Sequence, residues 1–150
     1  MTIHEKLASL HIELPRPGAP AAAFSLWVQS GDLVFLSGHI ALRDGEPWAG
    51  KLGADLTTAE GAVAARGVAI DLLGTLAAAA GDLDRVRRIV KLLVLVNSAP
   101  SFTEQHLVAN GASQLLIELF GEAPARSAFG VAQIPFGSCV EIELIAQLRA

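Results

Sequence analysis

A chain of 150 residues that is 52% hydrophobic and 17% charged can bury a core without disulfides or metals and is too apolar to remain unfolded. Its formal net charge of −4 argues against nonspecific nucleic-acid binding, which depends on excess cationic charge. The single cysteine, Cys139, excludes an internal disulfide and fits a reducing, cytoplasmic setting.

The richest apolar run, Leu92 to Val96, is too short to span a bilayer, so no membrane segment is expected. The N-terminus lacks a basic start followed by an apolar block, so no secretory leader is expected. So apolar a composition in a chain with one core to fill favours an oligomer, because surplus apolar surface marks interfaces.

Thr2 and Glu5 have capping-box spacing ahead of Ile3, Leu7 and Leu10, which predicts a short N-terminal helix. The prolines between Pro15 and Pro20 end it, so residues 1–20 read as a helix and linker before one domain spanning 1–150. Strands are expected at 24–30 and 33–40, joined by a tight turn at Gly31-Asp32. The polar stretch from Arg43 to Thr57, with four glycines or prolines, reads as a long surface loop. A helix is expected over 58–80, capped by Thr57 and Glu60 and stopped at Gly81, with Val63, Gly67, Ile70, Gly74 and Ala77 on its buried stripe. Residues 85–97 read as a long strand whose second half is buried on both faces. A second helix is expected over 102–120, with Ser101 and Glu104 as its capping box, Gly121 as its stop, and Leu107, Val108, Gly111, Ala112, Leu115 and Leu119 turned inward. Strands at 126–132 and 139–148 close the chain. In the last one Val140, Ile142, Leu144, Ala146 and Leu148 alternate with Glu141, Glu143, Ile145 and Gln147.

The order is ββαβαββ after a short helix, an α+β chain whose simplest packing is a single mixed sheet with two helices on one face. The helices should cover Val140, Ile142 and Leu144. The other face keeps either Leu93 and Leu95 or Leu92, Val94 and Val96, and a second subunit's sheet is the natural cover.

Three segments resemble the Rid family, the reactive intermediate deaminases also called YjgF-type or endoribonuclease L-PSP-like proteins. They are Leu33-Val-Phe-Leu-Ser-Gly-His-Ile40, Pro124-Ala-Arg-Ser-Ala-Phe-Gly-Val-Ala-Gln-Ile-Pro135 and Val140-Glu-Ile-Glu-Leu-Ile-Ala146. The resemblance covers about residues 24–148, and the ordered combination is more specific than any one motif. It implies a chorismate-mutase-like fold assembled as a homotrimer around a central barrel, with ligand clefts between subunits and no cofactor. It also implies hydrolysis of enamines and imines such as 2-aminoacrylate to a 2-keto acid and ammonia.

Carried onto this chain, the resemblance makes Arg126 and Glu141 the catalytic residues. Arg126 would hold the carboxylate of an imino acid through paired charged bonds. Glu141 would orient a water and take its proton as the water attacks the imine carbon. Ser37, Phe24, Ala128 and Pro135 would line the substrate site. The sequence departs from the pattern at Phe24, where the deaminase-active branch has tyrosine, at Ala128, where it has cysteine, and at His39, where it has glutamine. Ser113 occupies the aligned position of the branch's cleft asparagine, and Asn110 lies about one turn earlier. A noncatalytic binder of small carboxylates is the alternative these departures raise; an endoribonuclease, a label often attached to the family, fits the acidic pI less well.

Other residues read blandly. Cys139 alternates onto the opposite face from Glu141 and should be a buried core thiol. His4, His11, His39 and His106 show no metal-ligand spacing, and no metal is expected. Arg85, Arg87, Arg88 and Lys91 form the one basic cluster, a charged strand edge or, less simply, an RNA-binding stripe.

Overall fold

The computed structural model describes residues 1–150. The chain forms α1 (Ile3–Ser9), β1 (Trp27–Ser30), β2 (Leu33–Ile40), β3 (Leu42–Arg43), β4 (Glu46–Pro47), α2 (Thr58–Ala80), β5 (Val86–Asn97), α3 (Gln105–Phe120), β6 (Ala125–Val131) and β7 (Val140–Leu148). Five strands make one mixed sheet in the order β1-β2-β7-β5-β6, antiparallel except for the β5–β6 pair. The expected α+β order is therefore present.

Alternation decides which face is covered. Leu92, Val94 and Val96 of β5 and Val140, Ile142, Leu144 and Ala146 of β7 are almost wholly buried beneath α2 and α3. Each large side chain among them contributes about 1.5–3 kcal/mol by leaving water. Leu93, Leu95, Glu141, Glu143 and Ile145 occupy the other face, where no element of this chain covers them.

The capping boxes at Thr2/Glu5 and Thr57/Glu60 form with both reciprocal bonds, and Gly81 and Gly121 end α2 and α3 with positive φ. Helix α2 buries more than one stripe because it meets the sheet, α3 and the N-terminal segment together. This corrects the expected stripe: Val63 is 63% exposed, and Gly67 has nothing near it. By length and composition alone α2 is also apolar enough to span a bilayer, contrary to the expectation that no segment is, yet it runs through the core of this fold.

Glycines make the closest approaches. A Cβ on Gly74 would sit 2.1 Å from the Pro15 carbonyl oxygen, and one on Gly111 would sit 1.9 Å from that of Ala62. Gly111 thus lets α2 and α3 touch backbone to backbone. Gly74 seats the proline-rich strap after α1 against α2, rather than the sheet as glycine spacing implies.

Other expectations need correction. The first strand begins at Trp27, leaving Phe24 in the preceding loop. The segment after β2 is no free loop: Asp44 and Gly45, with φ of 55° and 79°, turn the β3–β4 hairpin. Beyond it Leu52 is fully buried and exchanges backbone hydrogen bonds with Asn97 and Ala99. Helix α3 starts at Gln105, and the Ser101/Glu104 box does not form, because the Glu104 carboxylate accepts from the Thr58 hydroxyl instead. Leu107 is left substantially exposed. In β5, two register shifts against β7 break the alternation near Arg88 and Val90, and Arg85 falls in a short 3-10 turn before the strand.

Candidate functional site

Strand β6 is an edge strand, and its register sets Arg126 beside Leu92, a helix-face residue. The Arg126 side chain therefore lies at the sheet margin against α3. Nη1 donates to Asn110 Oδ1 at 2.7 Å and to Ser113 Oγ at 3.0 Å, and Nη2 donates to the His106 carbonyl at 3.3 Å. Residues 106, 110 and 113 share one helical face, so about two turns of α3 present all three acceptors. The sequence reading set Asn110 a turn too early and Ser113 in its place; the fold brings both to the same guanidinium.

Three of the five guanidinium N–H groups are thus engaged, all with neutral partners, which leaves two free to donate. No carboxylate of the chain pairs with this half-buried cation. A held, charged and unneutralised fork is suited to a planar anion. Ala128 follows two residues on, on the same side of β6 and packed against the core.

Glu141 sits on central strand β7, opposite Leu95 of β5 and Ile40 of β2. It belongs to the uncovered face and lines a shallow depression of about 150 Å³ with Gly38, Leu95 and Glu143. A bulge shapes this spot, because Ser37 and Gly38 together oppose Glu143 alone. A Cβ on Gly38 would lie 3.0 Å from Glu141 Oε2, so only glycine leaves this carboxylate its place. Burial pushes the Glu141 carboxyl above the usual carboxylate range, the Glu143 charge adds to the rise, and His39 works against it. Such a group is suited to exchanging protons nearer neutrality.

Ser37 stands beside Glu141's depression at the bulge, but its hydroxyl donates to the Ser25 carbonyl. Phe24 is half exposed in the loop before β1, and Pro135 is exposed at the start of a 3-10 turn. Next to Pro135, Phe136 is 74% exposed with φ of 61°, an unusual conformation for a bulky residue. The sequence offered no signal for it.

Within one chain Arg126 and Glu141 do not meet. Arg126 registers with Leu92 and Glu141 with Leu95, an odd spacing along β5 that turns them to opposite faces. A pocket holding both would have to draw them from two chains. Cys139 is fully buried, and desolvation pushes its thiol up to about 11, away from nucleophilic use.

Folding also assembles a cluster that linear spacing does not reveal. His4, Asp82 and Asp84 come within ligating distance of one another on the surface, but His4 Nε2 and Asp82 Oδ1 pair directly at 2.8 Å and Asp82 also caps the 3-10 turn. Arg87 and Arg88 of the basic cluster both approach Glu122, at 3.6 and 3.3 Å.

The family model described as Endoribonuclease L-PSP matches residues 15–148. The chain belongs to the endoribonuclease L-PSP family. Its resemblance to Rid and YjgF-type proteins is thereby established, together with their chorismate-mutase-like fold. Among relatives of this L-PSP chain, Protein TCP17 of Trypanosoma cruzi is 49% identical over 147 residues, covering 95% of this chain and 92% of that protein. A crystal structure of an Agrobacterium tumefaciens protein of unknown function is 37% identical with a TM-score of 0.89, covering 99% of this chain and 94% of the other. The structure of RidA from an Antarctic Psychrobacter is 26% identical with a TM-score of 0.62, covering 91% of this chain and 98% of that one. The Agrobacterium match thus extends over the N-terminal helix and strap.

Proposed function

We propose that this L-PSP family member hydrolyses reactive enamines and imines of small 2-amino acids, of the 2-aminoacrylate type, to 2-keto acids and ammonia in clefts completed by neighbouring subunits of a homotrimer. The observation that carries this reading is the half-buried Arg126 guanidinium, fixed by three neutral acceptors and lacking an anionic partner. A substrate carboxylate supplies the missing charge and is oriented by two remaining N–H groups. Glu141, from a neighbouring chain's open face, takes a proton from water as the water's oxygen bonds to the imine carbon. The C=N π electrons pass to nitrogen, which takes that proton from Glu141 to give a carbinolamine; the hydroxyl proton then passes to nitrogen, the oxygen electrons form C=O as the C–N bond breaks, and ammonia leaves. The substrate is already electrophilic, so positioning and one base suffice and no cofactor is invoked.

The position of Ala128 and Phe24, where the deaminase-active branch carries cysteine and tyrosine, keeps a second reading open: carboxylate binding at Arg126 without turnover. An RNA-cleaving role is disfavoured by the net charge of −4, and within the basic cluster Glu122 offsets one of the two charges of Arg87 and Arg88. The deciding experiment follows keto acid and ammonia release from freshly generated 2-aminoacrylate. Wild type should accelerate release, and Arg126→Ala should reduce kcat/KM by about a hundredfold or more. Equal rates for the two proteins refute the hydrolytic reading. Carboxylate binding lost in Arg126→Ala, without turnover in wild type, would establish the binder instead.

A further inference from the structure

We propose that the cleft beneath the N-terminal strap is a second small-molecule site, one that takes a primary amine on an apolar body. The cleft is about 360 Å³, within the range of small-ligand sites. The strap from Pro15 to Ala21 roofs it, and Phe24, Leu26 and Leu42 supply apolar walls. Its polar floor consists of Asp71 and Thr75, one turn apart on α2, with His39 from β2 beside them.

This arrangement is built rather than incidental. The strap is seated by Gly74, which lies between Asp71 and Thr75 and leaves room for the Pro15 carbonyl where any side chain would block it. His39 is fixed at both ring nitrogens: Nδ1 faces the Ser37 carbonyl at 2.9 Å and so carries hydrogen, and Nε2 meets the Thr75 hydroxyl at 2.8 Å. Neither ring nitrogen is left for Asp71. The Asp71 carboxylate is half-buried, accepts no hydrogen bond from the chain and pairs with no cation. Arg16 reaches the rim of the cleft but is exposed and makes no ion pair with it. Burial pushes the Asp71 carboxyl up, with His39 opposing, as expected of an acceptor without its cation. An ammonium group satisfies that carboxylate, and the proline and phenylalanine surfaces accommodate an apolar remainder.

The Asp71–Thr75 floor lies on the helix side of β2, away from the Arg126 fork on α3. The cleft borders the proposed hydrolytic site through Phe24 and Gly38, but its charged group, Asp71, is separate from Arg126 and Glu141. Benzylamine is the probe and benzyl alcohol its neutral counterpart, with amide NMR shifts of the native assembly as readout. Benzylamine should shift Asp71, Thr75 and strap amides saturably, with Kd on the order of 1 mM. Benzyl alcohol and the Asp71→Asn variant should each bind about fivefold more weakly or less. Gly74→Ala should displace the strap and remove the shifts, and Arg126→Ala should leave them unchanged. The proposal is overturned if benzylamine leaves these amides unmoved, if benzyl alcohol binds as well, or if Asp71→Asn binds benzylamine as tightly as wild type.

Discussion

Arg126 and Glu141 are placed in opposite electrostatic situations, and each makes a distinct demand. The guanidinium reaches three acceptors on α3 at once, a fork that a lysine ammonium on a single flexible stem does not reproduce. Arg126→Lys should therefore lower kcat/KM for 2-aminoacrylate by about tenfold or more, despite keeping the charge. As the proposed general base Glu141 would act only when ionised, and burial raises its carboxyl above the ordinary value. Activity should rise with pH through that raised value and level off above it. In Glu141→Gln a pH–rate profile should show the limb gone and a low, flat rate. Cys139, with its thiol near 11, should react with iodoacetamide roughly a hundredfold more slowly than an exposed thiol until the protein unfolds. At this scale alternation alone assigned Cys139 inward and Glu141 outward, as the structure has them. It did not reveal that Asn110, Ser113 and the His106 carbonyl converge on one guanidinium, because that depends on how α3 is rotated over the edge of β6.

Helix α2 shows how an element can be legible in extent and illegible in orientation. Its cap at Thr57, its stop at Gly81 and its length all follow from local chemistry. Its buried face does not, because contact on three sides spreads apolar positions around most of its circumference and erases a single stripe. The two glycine substitutions that test this have opposite signs. Gly111→Ala would drive a methyl group into the Ala62 carbonyl and should cost about 2–3 kcal/mol, lowering Tm by roughly 5–10 °C. Gly67→Ala meets nothing within 4 Å and should stabilise by about 0.5–1 kcal/mol through helix propensity. Thermal melts of the two variants check both. The failure of the Ser101/Glu104 box has the same lesson, since a local signal was outcompeted by a tertiary bond from Thr58. The β3–β4 hairpin was the reverse case: Asp44-Gly45 is a strong turn signal, hidden inside a stretch whose polarity reads as loop.

For the whole molecule, the uncovered sheet face is the feature that a single chain leaves unresolved. Val28, Phe35 and Phe129 are exposed there, around Leu93, Leu95 and Ile145. If three copies close these faces together, light scattering should give about three times the 15.6 kDa chain mass. Leu93→Glu should shift that mass toward the single chain, and it should abolish hydrolysis with it, because Arg126 and Glu141 of one chain face opposite ways. A hydrolytically active monomer would contradict the shared-cleft assignment.

The bulge at Ser37-Gly38 has a consequence for how this protein tolerates length changes. Two residues span the distance that one covers on β7, so His39 returns to the helix side and meets Thr75. Deleting either residue would leave one residue opposite Glu143 and restore a regular pleat, with Phe35 still on the open face and His39 still on the helix side. The kink itself would go, and with it the close seat of Gly38 beside the Glu141 carboxylate, so a one-residue deletion should spare the fold and strike the open-face depression alone.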